Sequence, residues 1–149
     1  MKTKRAVLLL IAFVFVAGAC SPAQSTSDNS DTAAVDPPAG TPGAYQTLSV
    51  DELADILANQ PHAYTILNVH IPYAGEIAGT DANAPYYDLD ALMAALPDKN
   101  APVILYCRSG NMSEQAAHDL LAQGYTQVWD VSGGMAAWQA SGRDLIDTQ

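Results

Sequence analysis

The fold can be predicted from one stretch, Pro102-Val-Ile-Leu-Tyr-Cys107-Arg-Ser-Gly-Asn-Met-Ser113-Glu-Gln-Ala-Ala117. Its first five residues are apolar and partly β-branched, which is typical of a strand buried in a sheet. From Ser113 to Gln123 the apolar residues recur at helical spacing, and Gly124 follows as a stop. The stretch therefore predicts a strand, a short polar loop and a helix, with Cys107 where the strand ends.

The same alternation of strands and helices continues on both sides of this stretch. A capping box formed by Ser49 and Glu52 begins a helix. The other predicted elements are a strand at Tyr64–Val69, a short helix at Asp88–Leu96 stopped by Pro97, a strand at Val128–Val131, and a last helix that follows Gly133-Gly134 and carries Met135 and Trp138. Such alternation predicts an α/β domain with a central, mostly parallel sheet flanked by helices on both faces.

Cys107 stands at the position where α/β sheets usually place their sites, beyond the carboxyl end of a strand. The following helix would point unpaired N–H groups and its dipole at the sulfur. Gly110 would let successive N–H groups of the loop turn inward, and Arg108 would add a positive charge. All three effects favour the thiolate, which is the nucleophilic form of cysteine.

Two segments resemble known parts of rhodanese-like domains. The loop after Cys107 resembles the active loop of that family, whose common form is Cys-Arg-Ser-Gly-Asn-Arg-Ser, and Val128-Trp-Asp-Val-Ser-Gly-Gly-Met-Ala-Ala-Trp138 resembles its closing strand, Gly-Gly turn and helix. The resemblance implies a sulfurtransferase that needs no cofactor. Cys107 would carry a persulfide from a donor such as thiosulfate to cyanide or a thiol. The substrate-binding cradle would comprise Arg108, Ser109, Gly110, Asn111, Met112 and Ser113.

The chain departs from the family pattern at two places. Met112 stands where many members have a second arginine, so one charge that could bind an anionic donor is missing. Weak thiosulfate turnover is therefore expected, and a neutral or protein persulfide becomes a candidate donor beside thiosulfate. Asn68-Val-His70 replaces a more common Asp-Val-Arg. His70 should lie on the same rim of the sheet as Cys107, where it could pair with the thiolate or steer an acceptor. We therefore count it among the substrate-binding residues, although a histidine at such a position often only hydrogen-bonds a loop.

Competing interpretations fit the residues less well. A phosphatase or arsenate reductase loop would need arginine six residues after the cysteine, to clamp phosphoryl oxygens, and that position is Ser113. Acidic residues that could be drawn with His70 as a metal site match no compact ligand motif, so no metal is expected; they are Glu76, Asp81, Asp88 and Asp90. The remaining alternative is a non-catalytic rhodanese-like module that binds a partner or senses redox state in the cell envelope.

The amino-terminal segment predicts export. Lys2, Lys4 and Arg5 precede an apolar run that is shorter than the roughly 20 residues of a membrane-spanning helix, which is typical of a secretory signal. Ala17-Gly-Ala-Cys20 resembles the lipobox of bacterial lipoproteins, although leucine is commoner at the position of Ala17. We expect a lipoprotein signal peptide at 1–19, a lipidated Cys20 with a disordered linker at 20–44, and the rhodanese-like domain at 45–149. An ordinary signal peptide or an uncleaved anchor helix are the alternatives.

The charge and cysteine content of the chain limit the kinds of partner that we expect. Three of the six basic residues lie in the predicted signal, so the remainder would carry three cations against 16 carboxylates, which excludes nucleic-acid binding. Membrane attachment would come from the lipid rather than from a basic patch. With Cys20 lipidated, Cys107 has no partner for a disulfide, which is unusual outside the cytoplasm. We expect a monomer in the cell envelope, facing the periplasm or exterior, that acts on a small sulfur-containing substrate or a thiol acceptor.

Overall fold

The computed structural model describes residues 41–149, and the predicted signal peptide, Cys20 and the linker up to residue 40 lie outside the described residues. In chain order, the elements of this part are β1 Gln46–Leu48, α1 Val50–Asn59, β2 Thr65–Asn68, β3 Ala82–Asn83, α2 Leu89–Ala95, β4 Val103–Tyr106, α3 Asn111–Ala122, β5 Val128–Val131 and α4 Gly134–Ala140. Within 41–149, no helix combines the length and the apolar character that crossing a bilayer requires.

The five strands form one sheet with the order β1-β5-β4-β2-β3. All four neighbouring pairs are parallel, which confirms the predicted parallel sheet. β4 lies at the centre, where Ile104 is opposite Ile66 of β2 and Trp129 of β5. Because parallel strands end on the same edge of the sheet, the residues that follow β2, β4 and β5 share one rim.

Helices cover both faces of the sheet, as the sequence predicts. Leu105 and Cys107 belong to the apolar cluster under α2 and α3, whereas Ile104 and Tyr106 belong to the cluster under α1 and α4. This alternation follows from the two-residue period of a strand. Cys107 continues it one residue beyond β4, so its side chain points to the face that α3 covers.

Most predicted elements are confirmed, with shifted ends. The capping box of Ser49 and Glu52 is present, and β5 has the predicted bounds. α3 begins at Asn111 rather than Ser113, because Gly110 serves as its N-cap and accepts the N–H of Glu114. The prediction missed β1 and β3, which have three and two residues.

The first turn of α4 holds the Cys107 loop through two backbone hydrogen bonds. The N–H of Met135 donates to the carbonyl oxygen of Cys107, and the N–H of Ala136 to that of Arg108, both at 2.9 Å. Gly134 has φ +52°, and a Cβ atom there would overlap the Cys107 carbonyl. A glycine is therefore required by the close approach of the two backbones.

We expect Gly134→Ala to displace this loop and destabilise the fold. Gly142→Ala is the matched control, since Gly142 also has a positive φ but a Cβ atom there would meet nothing within 4 Å. The control should lose only the left-handed backbone cost of about 1–2 kcal/mol, and Gly134→Ala at least about 2 kcal/mol more. Urea unfolding measures both losses. Equal losses would show that the close approach to Cys107 contributes nothing to stability.

Candidate active site

The Cys107 sulfur is enclosed at the amino-terminal end of α3. The side chain is 1% exposed. Its Sγ accepts the N–H of Gly110 at 3.1 Å and the hydroxyl of Ser113 at 3.4 Å. Gly110 has φ +106°, a conformation that L side chains rarely adopt, so the direction of its N–H depends on the absence of a Cβ atom. The sulfur thus accepts one N–H group of the loop and one hydroxyl of α3.

Burial and the surrounding hydrogen-bond donors set the pKa of the Cys107 thiol. Burial raises the pKa of Cys107, because the enclosed site disfavours charge. Hydrogen bonds from the Ser113 hydroxyl and from the N–H groups of Ser113, Ser109 and Gly110 outweigh burial, and the pKa lies below its ordinary value. The site therefore favours the thiolate at neutral pH more than a free cysteine does.

The predicted cradle residues divide into two groups. Ser109, Gly110 and Ser113 lie against the sulfur through their backbone or hydroxyl groups. The other three cradle residues are not among these donors: Arg108 and Asn111 are exposed, and Met112 is half-buried and packs against the apolar cluster that contains Cys107.

Burial and the positive charge of Arg108 both affect the pKa of His70. The pKa of His70 is lowered, first by burial and then by the nearby Arg108 guanidinium, so the imidazole is neutral at neutral pH. Asn68, which is 1% exposed, holds the segment that carries this histidine. Its Oδ1 accepts the N–H of His70 at 3.0 Å, and its Nδ2 donates to the Gly75 carbonyl at 3.1 Å. An aspartate, which is more common in the family, could not make the second bond when ionised.

One site residue was missed by the sequence prediction. Asp130 of β5 is 3% exposed, and it receives a hydrogen bond from the Tyr45 hydroxyl at 3.0 Å. Burial raises the pKa of Asp130, and the hydrogen bond from Tyr45 opposes that rise. Asp130 lies next to the Cys107 loop, since a Cβ atom built on Gly110 would be 4.0 Å from its Oδ2. The signal in the sequence was a charged residue within the apolar run Val128-Trp-Asp-Val131.

Three of the four acidic residues considered as metal ligands have other partners, and the fourth, Asp90, is exposed. The Glu76 carboxylate accepts the Asn83 side-chain amide at 2.6 Å. Asp81 accepts the N–H of Ile66 at 2.8 Å, and Asp88 caps α2 by accepting the N–H of Ala91 at 3.0 Å. Within residues 41–149, no three His, Cys, Asp or Glu side chains are grouped closely enough to bind a metal ion.

Ser113→Ala should raise the pKa of Cys107 by about one unit, since a hydrogen bond to a charged group contributes about 1.5–3 kcal/mol and one unit corresponds to about 1.4 kcal/mol. The pH dependence of alkylation by iodoacetamide measures this shift. Ser109→Ala is the matched control, because it removes an exposed hydroxyl from the same loop and keeps the N–H. A shift of equal size in both variants, or in neither, would contradict the assigned role of the Ser113 hydroxyl.

The chain is similar to known proteins of one family. Residues 48–141 match the family model for the rhodanese-like domain. A sulfurtransferase from Allochromatium vinosum is 37% identical over 62 residues, covering 42% of this chain and 57% of that protein. The thiosulfate sulfurtransferase GlpE from Pseudomonas fluorescens is 37% identical over 68 residues, covering 46% and 61%. The chain spans less than two thirds of the length of these curated relatives.

A solved structure shares the fold. A rhodanese-related protein from Thermoplasma volcanium superimposes with a TM-score of 0.56 at 27% identity, over 68% of this chain and 98% of that one. The family match includes the whole of β2, β4, β5 and α3, and with them the Cys107 loop. The chain therefore belongs to the rhodanese-like domain family.

Proposed function

We propose that the protein is a sulfurtransferase that carries a sulfane sulfur as a persulfide on Cys107. The observation that carries this proposal is the enclosed Cys107 sulfur with hydrogen-bond donors directed at it and a lowered pKa. Such a site favours a sulfur nucleophile and stabilises a sulfur anion. Relatives named as sulfurtransferases support the same chemistry.

In the first step, the Cys107 thiolate attacks the sulfane sulfur of the donor. A bond forms between Sγ and that sulfur while the donor's own bond to it breaks, and the donor leaves as sulfite or as a thiolate. The product is a Cys107 persulfide. Its negative charge lies near the N–H groups of Ser109, Gly110 and Ser113, so the donors that stabilise the thiolate also stabilise the product.

In the second step, an acceptor thiolate or cyanide attacks the outer sulfur of the persulfide. The bond between the two sulfurs breaks, and Cys107 leaves as a thiolate, which returns the site to its starting state. The acceptor carries the sulfur away, so no oxidant or reductant is consumed. A low pKa helps this step because a thiolate of low pKa is a better leaving group.

The loop favours a persulfide donor over thiosulfate. Thiosulfate carries two negative charges, and its binding would gain from a second cation near the sulfur. Met112 offers only an apolar side chain there, packed against the core, and the loop's one cation, Arg108, is exposed. We expect a glutathione persulfide to load Cys107 faster than thiosulfate does.

Intact mass spectrometry tests the proposal directly. The protein is incubated with thiosulfate or, separately, with glutathione persulfide. We expect a gain of one sulfur atom that cyanide removes and that is absent in Cys107→Ser, with the larger gain from the persulfide. A folded protein that gains no sulfur from either donor would refute the carrier mechanism and favour a binding or redox-sensing module.

We further propose that the domain is exported and anchored to the cell envelope by a lipid on Cys20. The lipobox-like Ala17-Gly-Ala-Cys20 after an apolar run supports this proposal. Cells fed a labelled fatty acid should incorporate the label into the wild-type protein and not into Cys20→Ser. Label that persists in Cys20→Ser would place the lipid elsewhere, and an unlabelled wild-type protein would exclude the anchor.

A further inference from the structure

Asp130 is a buried carboxylate that forms no ion pair within residues 41–149. Its side chain points to the face of the sheet that carries Cys107, because Val128, two residues earlier in β5, belongs to the same apolar cluster as Cys107. Its Oδ1 is buried and has no hydrogen-bonding partner in this part of the chain. An unpaired buried charge destabilises a fold, which favours a functional role for this residue.

Gly110 lies between the Asp130 carboxylate and the Cys107 sulfur. Its N–H donates to Sγ at 3.1 Å, and a Cβ atom built on it would lie 4.0 Å from Asp130 Oδ2. Since the N and Cβ atoms of one residue are about 2.5 Å apart, Oδ2 lies within about 10 Å of the sulfur. The sheet register agrees, because Asp130 is opposite Leu105, which shares a face with Cys107. The two acidic groups are therefore close enough to interact.

The groups around Asp130 leave its charge without compensation. The Tyr45 hydroxyl donates to Oδ2 at 3.0 Å, which favours the carboxylate, and the Tyr45 ring stacks on His118 of α3 with ring centroids 4.9 Å apart. Glu114, which is exposed in the first turn of α3, is a second carboxylate that acts on Asp130. Burial and then Glu114 raise the pKa of Asp130, and the Tyr45 hydroxyl opposes the rise. We expect an ionised Asp130 at neutral and alkaline pH.

We infer that Asp130 is a specificity-determining residue, whose carboxylate opposes a negative charge on Cys107 and disfavours a donor that brings two negative charges. This inference rests on the proposed function, because the donor reacts at Cys107. Thiosulfate brings both its charges to the sulfur, since its sulfane sulfur bonds to Sγ and sulfite leaves. Two unit charges about 10 Å apart, at a dielectric constant of about 20, shift a pKa by about one unit. Asp130 and Met112 therefore act in the same direction, since Met112 supplies no cation and Asp130 supplies an anion.

Two reactions of Cys107 test the role of this charge in the full-length protein. Asp130→Asn removes the charge and keeps an oxygen that can accept the Tyr45 hydroxyl, and Asp130→Ala is a second uncharged variant. The matched control is Asp119→Asn, which removes an equal charge from an exposed position on α3. Alkylation by iodoacetamide, an uncharged reagent, is followed as a function of pH on the peptide that contains Cys107. Loading by thiosulfate is followed by intact mass at pH 9, where the thiolate predominates, and urea unfolding shows which variants are folded.

We expect both uncharged variants to lower the pKa of Cys107 by about one unit, because the carboxylate no longer repels the thiolate. Asp119→Asn should shift it by less than about 0.3 unit, since charges exposed to solvent are screened. At pH 9, loading by thiosulfate should become faster on the order of tenfold in the uncharged variants. Alkylation at that pH should change by less than about twofold, because a thiolate of lower pKa is a slightly weaker nucleophile.

Other results would overturn the inference. An unchanged pKa of Cys107 in the folded uncharged variants would show that Asp130 does not act on the sulfur. Thiosulfate and iodoacetamide rates that change by the same factor at pH 9 would indicate altered access to the sulfur instead of charge repulsion. A shift of equal size in Asp119→Asn would assign the effect to the net charge of the protein. The alkylation profile needs no persulfide, so it tests Asp130 even if the wild-type protein takes up no sulfur and the proposed function fails.

Discussion

The hydrogen bonds from Gly110 and Ser113 to the Cys107 sulfur favour a thiolate where burial alone would disfavour it. Burial of the thiol raises its pKa, and the donors at the start of α3 reverse that effect. This balance depends on geometry that the rest of the domain supplies. The central strand β4 ends just before the cysteine and so places it on the rim formed by the carboxyl ends of the strands. Gly110 directs its N–H at the sulfur. Met135 and Ala136 donate to the carbonyl oxygens of Cys107 and Arg108. A shift of any of these parts would leave a buried thiol with an ordinary or raised pKa, and the sulfur would lose its reactivity.

The Cys107 loop thus lies between the amino-terminal ends of α3 and α4, which make different hydrogen bonds to it. The first turn of α3 offers donors to the sulfur, and the first turn of α4 satisfies the carbonyl oxygens of Cys107 and Arg108. The side chains of the loop are largely free of this task, and Arg108 and Ser109 are exposed. Backbone N–H groups and the Ser113 hydroxyl therefore build the anion site, whereas Asn68 and His70 lie at the end of the neighbouring strand β2.

The central strands and the reactive cysteine could be predicted from the sequence because their signals are local. β4 is a continuous apolar run, the Ser49–Glu52 capping box spans one helical turn, and the polar loop after Cys107 has a specific pattern. β1 and β3 could not be predicted, since two or three residues form a strand only through pairing with β5 and β2. Asp130 and Tyr45 are 85 residues apart and meet only in the fold. The effect of Arg108 on the pKa of His70 likewise depends on which strand ends lie together in the fold. It could not be predicted from the spacing of the two residues in the sequence.

The most direct test of this account is the pKa of Cys107 in the folded protein, measured from the ultraviolet absorbance of the thiolate as a function of pH. A Cys107→Ser variant supplies the baseline and removes any contribution from Cys20. The account predicts a pKa below the value of about 8.5 for an unperturbed cysteine, and a return toward that value when the protein is unfolded in urea. A folded protein whose Cys107 titrates at or above the unfolded value would contradict it, because burial would then outweigh the donors of the loop.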